Sequence, residues 1–160
     1  MGEEPWRVHV VGSPAIDSIL YAEKIPRETI AKKFNLDLYS PIILVVQHPT
    51  SISADNAKKE IIATLEALVE SKYQSVVIYP NADAGGRRII QTIKEYEKYP
   101  FIKTMKSVNH KEYLSMMKIS NVMVGNSISG MLEASSFHLP VVNIGIRQHG
   151  RERADNVIDV

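Results

Sequence analysis

The 160-residue chain is 44% hydrophobic and 23% charged with a formal net charge of +1, enough apolar material for one core and too little basic excess for a nucleic-acid groove or an anionic membrane. It contains no cysteine, which excludes disulfides, thiol nucleophiles and cysteine-bound metals. No apolar run approaches the roughly 20 residues of a membrane span, and the start MGEEPWRVHVVG lacks the features of a signal peptide, so a cytoplasmic protein is expected.

Short apolar runs alternate with helical patterns along the whole chain, the pattern of βα units wound into a parallel sheet. Residues 7–11 predict a first strand, broken by Gly12-Ser13-Pro14 ahead of a short helix over 15–20. Pro26 starts a second helix, with Ile30 and Phe34 on its inner face. Residues 42–46 are almost uniformly β-branched, suiting a strand covered on both faces, and Gln47-His48-Pro49-Thr50 ends it. From 54 to 69 the residues Ile61, Ile62, Leu65, Leu68 and Val69 recur at helical spacing. Residues 75–79 make the next strand, and Asn81 to Gly86 leads into a helix with Ile89, Ile90 and Ile93 inward. A weaker strand follows at 101–105, then a helix over 110–118 turning Tyr113, Leu114 and Met117 to the core.

The last stretch reads as strand (122–124), the turn cluster Gly125-Asn126-Ser127, a half-buried helix carrying Met131, Leu132, Ala134 and Phe137, and strand again at 141–144. Another element begins at 157–160, and such ends suggest an excised piece. Trp6 and Phe137 are expected to pack. The whole predicts one α/β domain over 1–160, a Rossmann-like parallel sheet of about six strands with helices on both faces.

In such sheets ligands bind beyond the carboxyl ends of the strands. The Ser/Gly turn at 125–130 sits at a helix N-terminus, where unbonded N–H groups and the helix dipole favour a phosphate-like anion. A dinucleotide fingerprint and a P-loop are both absent, and the five histidines lack metal spacing, so no metal site is expected. Each polar residue also has a plainer role. Ser127 can cap the helix, Glu133 can be solvated, and His48 can simply end its strand. Gly85-Gly86 can bring the helix close to the sheet, and Arg147, Arg151 and Arg153 can pair with Glu152 and Asp155.

The string GNSISGMLEASSFHLPVVNIGIRQHGRERADNVIDV, with PNADAGGRRI, QHP and VVGSPAIDSI, resembles the carboxy-terminal domain of UDP-N-acetylglucosamine 2-epimerases over nearly the whole chain. It is nearest the hydrolysing branch, because the non-hydrolysing enzymes carry a His-Arg-Arg-Glu-Asn run where His48 is here followed by Pro49-Thr50. The resemblance implies one half of a glycosyltransferase-B type two-domain enzyme whose amino-terminal domain is missing, and a homo-oligomer at full length. It implies UDP-N-acetylglucosamine or UDP as ligand, with the sugar nucleotide as substrate and no cofactor. Ser127 and the backbone of Ile128, Ser129 and Gly130 would hold the diphosphate, although relatives often carry serine in place of Ile128. Glu133 would accept from the ribose hydroxyls, Arg147 would face a phosphate, and the backbone near Val108 would read the uracil edge. His48 and Asn81 would contact the nucleotide sugar, and His48 is the candidate catalytic residue. The fragment alone is expected to be inactive. Simple epimerisation, a glycosyltransferase of the same architecture, and a non-catalytic nucleotide-sugar sensor remain the alternatives.

Overall fold

The computed structural model describes residues 2–23, 25–50 and 56–160. Six parallel strands form one sheet: β1 (Ile42–Val46), β2 (Gln74–Ile78), β3 (Ile102–Met105), β4 (Val122–Gly125), β5 (Val141–Asn143) and β6 (Val157–Asp159). Their order is β3-β2-β1-β4-β5-β6, the doubly wound arrangement in which the winding reverses between β1 and β4. The helices are α1 (Pro14–Tyr21), α2 (Arg27–Phe34), α3 (Ala57–Ser71), α4 (Gly86–Glu95), α5 (His110–Ile119) and the short α6 (Ile128–Leu132).

Strand side chains alternate between the two faces, and each face has its own core. Ile43, Val45, Val77 and Ile102 pack with Ile61, Leu65 and Leu68 of α3 and Ile89 and Ile93 of α4. Ile42, Leu44, Val46, Met123 and Val141 pack with Ile30 and Phe34 of α2, Leu114 and Met117 of α5 and Met131 of α6. All five residues of β1 are buried, as expected of a central strand covered on both sides.

The sheet has the expected number of strands but not the expected set. Residues 8–12 form no strand. A 3-10 turn at Pro5–Arg7 precedes them, and Val8, Val10 and Val11 are exposed. The segment pairs with none of the six strands of the sheet, and β-propensity without a partner makes no strand. The sixth strand comes instead from the far end, where Val157–Asp159 pairs with β5. Trp6 is not a packing residue: it is exposed, its indole N–H donating to Glu4 Oε2 at 2.6 Å beneath the Arg7 guanidinium. The helix expected after β4 breaks at Glu133 into α6 and a 3-10 turn at Ala134–Phe137, which leaves Leu132 exposed. The first residues of the helix expected from 54 lie outside the described residues. No helix among the described residues is long and apolar enough to cross a membrane.

Candidate functional site

The carboxyl ends of β1 to β4 open onto a cleft of about 400 Å³. His48, Asn81, Lys106, Val108, Ser127 and Ser129 all line it, with Tyr113 and His110 of α5 closing one side. Two glycines let the backbones meet there. At Gly125, φ is +134°, and a Cβ would sit 2.1 Å from the carbonyl oxygen of Val46, so β4 can leave the sheet beside β1 only with a glycine. A Cβ on Gly86 would lie 2.5 Å from the Asn81 carbonyl; this glycine brings α4 against the turn that presents Asn81.

On the α5 side the cleft carries a chain of hydroxyls. Tyr113 Oη lies 2.7 Å from Ser129 Oγ, which lies 2.8 Å from Ser127 Oγ. Ser127 also caps α6, its Oγ accepting from the Ser129 N–H at 3.4 Å, so capping and cleft lining coexist. Three hydroxyl protons serve two links, which leaves the chain a proton to donate to a ligand oxygen. Burial pushes the Tyr113 hydroxyl up to about 12, with the Glu133 carboxylate raising it and its bond to Ser129 opposing; Tyr113 is therefore a neutral donor at physiological pH.

On the β1 side, His48 is buried and its Nδ1 accepts the Asn81 N–H at 3.3 Å. That bond requires an unprotonated Nδ1. Burial and the Arg147 guanidinium hold His48 below the usual histidine range, with the Asp83 carboxylate opposing. A neutral imidazole with its proton on Nε2 follows. Arg147 donates from Nη1 to the Asn126 carbonyl at 3.1 Å, and Gln148 Nε2 donates to the same oxygen at 2.7 Å.

The remaining sequence candidates divide. The Glu133 N–H donates to Ser129 O at 2.9 Å, one helical turn on. Its side chain is mostly enclosed and stands 3.7 Å from His110 Nε2, at the cleft margin. Ile128 packs on the core rather than into the cleft. A Cβ on Gly130 would sit 3.0 Å from Val141, so its lack of a side chain seats α6 on β5. Arg153 pairs with Asp159 and donates to Gln148 O at 3.2 Å, not to Glu152 or Asp155, and Arg151 is exposed. Gly12-Ser13 lies apart, against α1.

Sequence reasoning missed Tyr113 as a site residue, because an aromatic at helical spacing beside leucine and methionine reads as core. It also missed Asn126 and Gln148, both 1% exposed. Their one signal was position after a strand end. Among the described residues no group of His, Asp and Glu side chains could hold a metal ion.

A profile of the family described as UDP-N-acetylglucosamine 2-epimerase matches residues 1–160. The UDP-N,N'-diacetylbacillosamine 2-epimerase (hydrolyzing) of Legionella pneumophila is 36% identical over 160 residues, which are 100% of this chain and 42% of that protein. The chain thus spans less than half the length of that relative. The structure of S. aureus MnaA with UDP superposes with a TM-score of 0.64 at 20% identity, over 89% of this chain and 38% of that one. WaaG, a glycosyltransferase involved in lipopolysaccharide biosynthesis, does so with a TM-score of 0.59 at 18% identity, over 98% and 44%. The shared fold is the Rossmann-like half of the glycosyltransferase-B architecture.

Proposed function

The chain belongs to the UDP-N-acetylglucosamine 2-epimerase family, and from that premise we propose that it is the UDP-holding half of a hydrolysing 2-epimerase. The observation that carries this reading is the cleft between β1 and β4, with a hydroxyl chain on one wall and a neutral histidine on the other. Ser127, Ser129 and Tyr113 offer neutral donors to a diphosphate, and Arg147 adds the charge-assisted one, a contact of roughly 1.5 to 3 kcal/mol. Glu133 takes the ribose hydroxyls, and the backbone at Val108 faces the uracil. His48 and Asn81 take the sugar end, next to the bond that breaks. Of the diphosphate residues selected from sequence, Ile128 and Gly130 contribute backbone alone, since the one side chain packs inward and the other is absent.

In the full-length protein, the proton on C2 of the sugar is removed and the C1–O bond to UDP breaks, giving a glycal and UDP. Water then adds across the C1–C2 double bond, its hydroxyl to C1 and a proton to C2 from the opposite face, releasing a free 2-acetamido sugar. Elimination and hydration are redox-neutral, so the reaction needs no cofactor. The task of this half is to stabilise the charge gathering on the departing diphosphate with fixed donors in a site shielded from water. The half that this chain does not include supplies the base for C2. Pro49-Thr50 after His48 and the hydrolysing Legionella relative both favour release of a free sugar over return of a nucleotide sugar. The substrate is UDP-N-acetylglucosamine or its diacetamido analogue.

The test is calorimetric titration of the chain with UDP, repeated on Glu133→Ala and Arg147→Ala. Each substitution should weaken binding by about tenfold; binding untouched by both would remove the assignment. For the full-length protein, incubation with each nucleotide sugar should release UDP and a free sugar in equal amounts. Transfer of the sugar to an acceptor instead would point to a glycosyltransferase.

A further inference from the structure

Asn126 is buried at the junction of three strand ends, and each of its polar groups is spoken for. Its N–H donates to Val46 O at 3.1 Å. Its carbonyl accepts from Arg147 Nη1 at 3.1 Å and from Gln148 Nε2 at 2.7 Å. Its side-chain Oδ1 accepts the His48 N–H at 2.7 Å, and Nδ2 donates to the His48 carbonyl at 2.9 Å. The β1–β4 ladder ends at the pair Val46 and Gly125, where the two main chains part. Beyond that point the Asn126 amide bonds both main-chain groups of a single residue, as an opposing strand residue does in a ladder. A side chain thus extends the sheet by one rung, and that rung is His48.

We propose that Asn126 is the positioning residue of the site, its amide fixing the main chain of His48 while its carbonyl fixes Arg147, so that imidazole and guanidinium face one ligand in a set geometry. This rests on the reading of the cleft as a UDP-sugar site. A side-chain amide carries its donor and its acceptor on two separate atoms of one planar group, spaced to bond both main-chain groups of the same residue. A carboxylate keeps the acceptor but sets an oxygen against the His48 carbonyl. A serine keeps neither at the required reach. In both cases His48 loses its fixed approach to Asn81, and its ring gains solvent. The charged and titratable groups around the imidazole are Arg147 from the loop after β5 and Asp83 from the turn before α4. Lys106, His110 and Tyr113 lie across the cleft.

The experiment uses the full-length protein carrying Asn126→Asp or Asn126→Ser, each first checked for cooperative unfolding. A displaced reacting group costs far more in turnover than in binding, so kcat should fall by about tenfold or more while KM stays within about threefold. The acid limb of the pH–rate profile should move up in both variants, because a better-solvated imidazole is easier to protonate, and it should move further with the added carboxylate. If either folded variant keeps wild-type kcat and an unmoved acid limb, the proposal is overturned. Parallel losses in kcat, KM and melting temperature with an unmoved limb would mark a merely structural asparagine and also overturn it. If Asn126→Asp does not fold, Asn126→Ser carries the same readings. Should the wild-type protein neither bind UDP nor release a free sugar, the functional reading fails separately. The clamp is then judged from the His48 imidazole resonance, assigned by its loss in His48→Gln: an upward-shifted titration in the Asn126 variants supports it, and an unshifted one overturns it.

Discussion

The two faces of the sheet are built from different materials. The face under α3 and α4 has a buried centre of aliphatic side chains, Ile43, Val45, Ile61, Leu65, Leu68, Ile89 and Ile93, most of them stiff and β-branched, with Tyr79, Tyr96, Tyr99 and Phe101 packed around it. The face under α2, α5 and α6 holds four buried methionines, Met116, Met117, Met123 and Met131, and gives way towards its top to the hydroxyls of Tyr113, Ser129 and Ser127. Methionine fills irregular space that branched residues cannot, which suits a face interrupted by the short α6. Both faces hold the sheet together, and the second also opens into the cleft that forms the candidate site. A substitution on the first should therefore change stability alone, whereas one near the top of the second should change ligand affinity more than stability.

The largest expected effect falls where the faces meet, at Gly125. A methyl there would sit 2.1 Å from the Val46 carbonyl at a φ of +134°, and both the clash and the strain fall on backbone. Gly125→Ala should cost about 4 kcal/mol or abolish folding, measured by denaturant unfolding. Next comes Leu65→Ala, which empties the closed face at a fully buried position. The expected loss is about 3 kcal/mol, within the usual range of such truncations, with UDP affinity by calorimetry unchanged in the folded protein. A change in affinity would break the separation of the two faces.

A smaller effect probes the hydroxyl chain. Ser129→Ala leaves the half-buried Tyr113 hydroxyl without its partner and should cost about 1 kcal/mol of stability. It also interrupts the chain facing the ligand, so UDP affinity should fall by about tenfold. Tyr113→Phe keeps the ring and the Ser129–Ser127 link and should cost about 1 kcal/mol. Unfolding of the double variant should then show a coupling of about 1 kcal/mol between the two positions; strict additivity would deny the link.

Much of this division was legible in the sequence, because it follows from side-chain period. The uniform apolar run of β1 announced a strand buried on both faces, and the helical spacing in α3 and α5 named most of their inward residues. Residues 7–11 misled because strand propensity is local while strand formation needs a neighbour, and no pattern within five residues reveals whether the sheet has an open edge. Of the residues that line the cleft, His48, Asn81, Val108, Ser127 and Ser129 were legible as candidates from their place after strand ends and from the family resemblance. Tyr113 was not, since a tyrosine ring packs like phenylalanine and only its hydroxyl marks the cleft. Asn126 lay hidden in a turn cluster, where asparagine is ordinary. Its role comes from three segments far apart in the chain, and no local window contains them.

The smallest effect is electrostatic and tests whether the site side of the molecule is held in one protonation state. Burial, with the Arg147 charge, lowers the His48 pKa in the folded protein, whereas the unfolded chain titrates near the ordinary value of about 6.5. Above that value the imidazole is neutral in both states and contributes no pH dependence. As pH falls through it, the unfolded chain takes up a proton that the folded protein refuses, so stability declines. The decline stops once pH passes below the lowered folded value, where both states are protonated. Protonation at Nδ1 would remove the acceptor for the Asn81 N–H, so the site itself loosens only below the lowered folded value, after the decline has ended. Stability measured from pH 8 to pH 5 should therefore fall more steeply for the wild type than for His48→Gln, the difference opening below about pH 6.5. Parallel curves would show that His48 titrates freely in the fold, and the cleft would then be as wet as the rest of the surface rather than a shielded wall for a departing diphosphate.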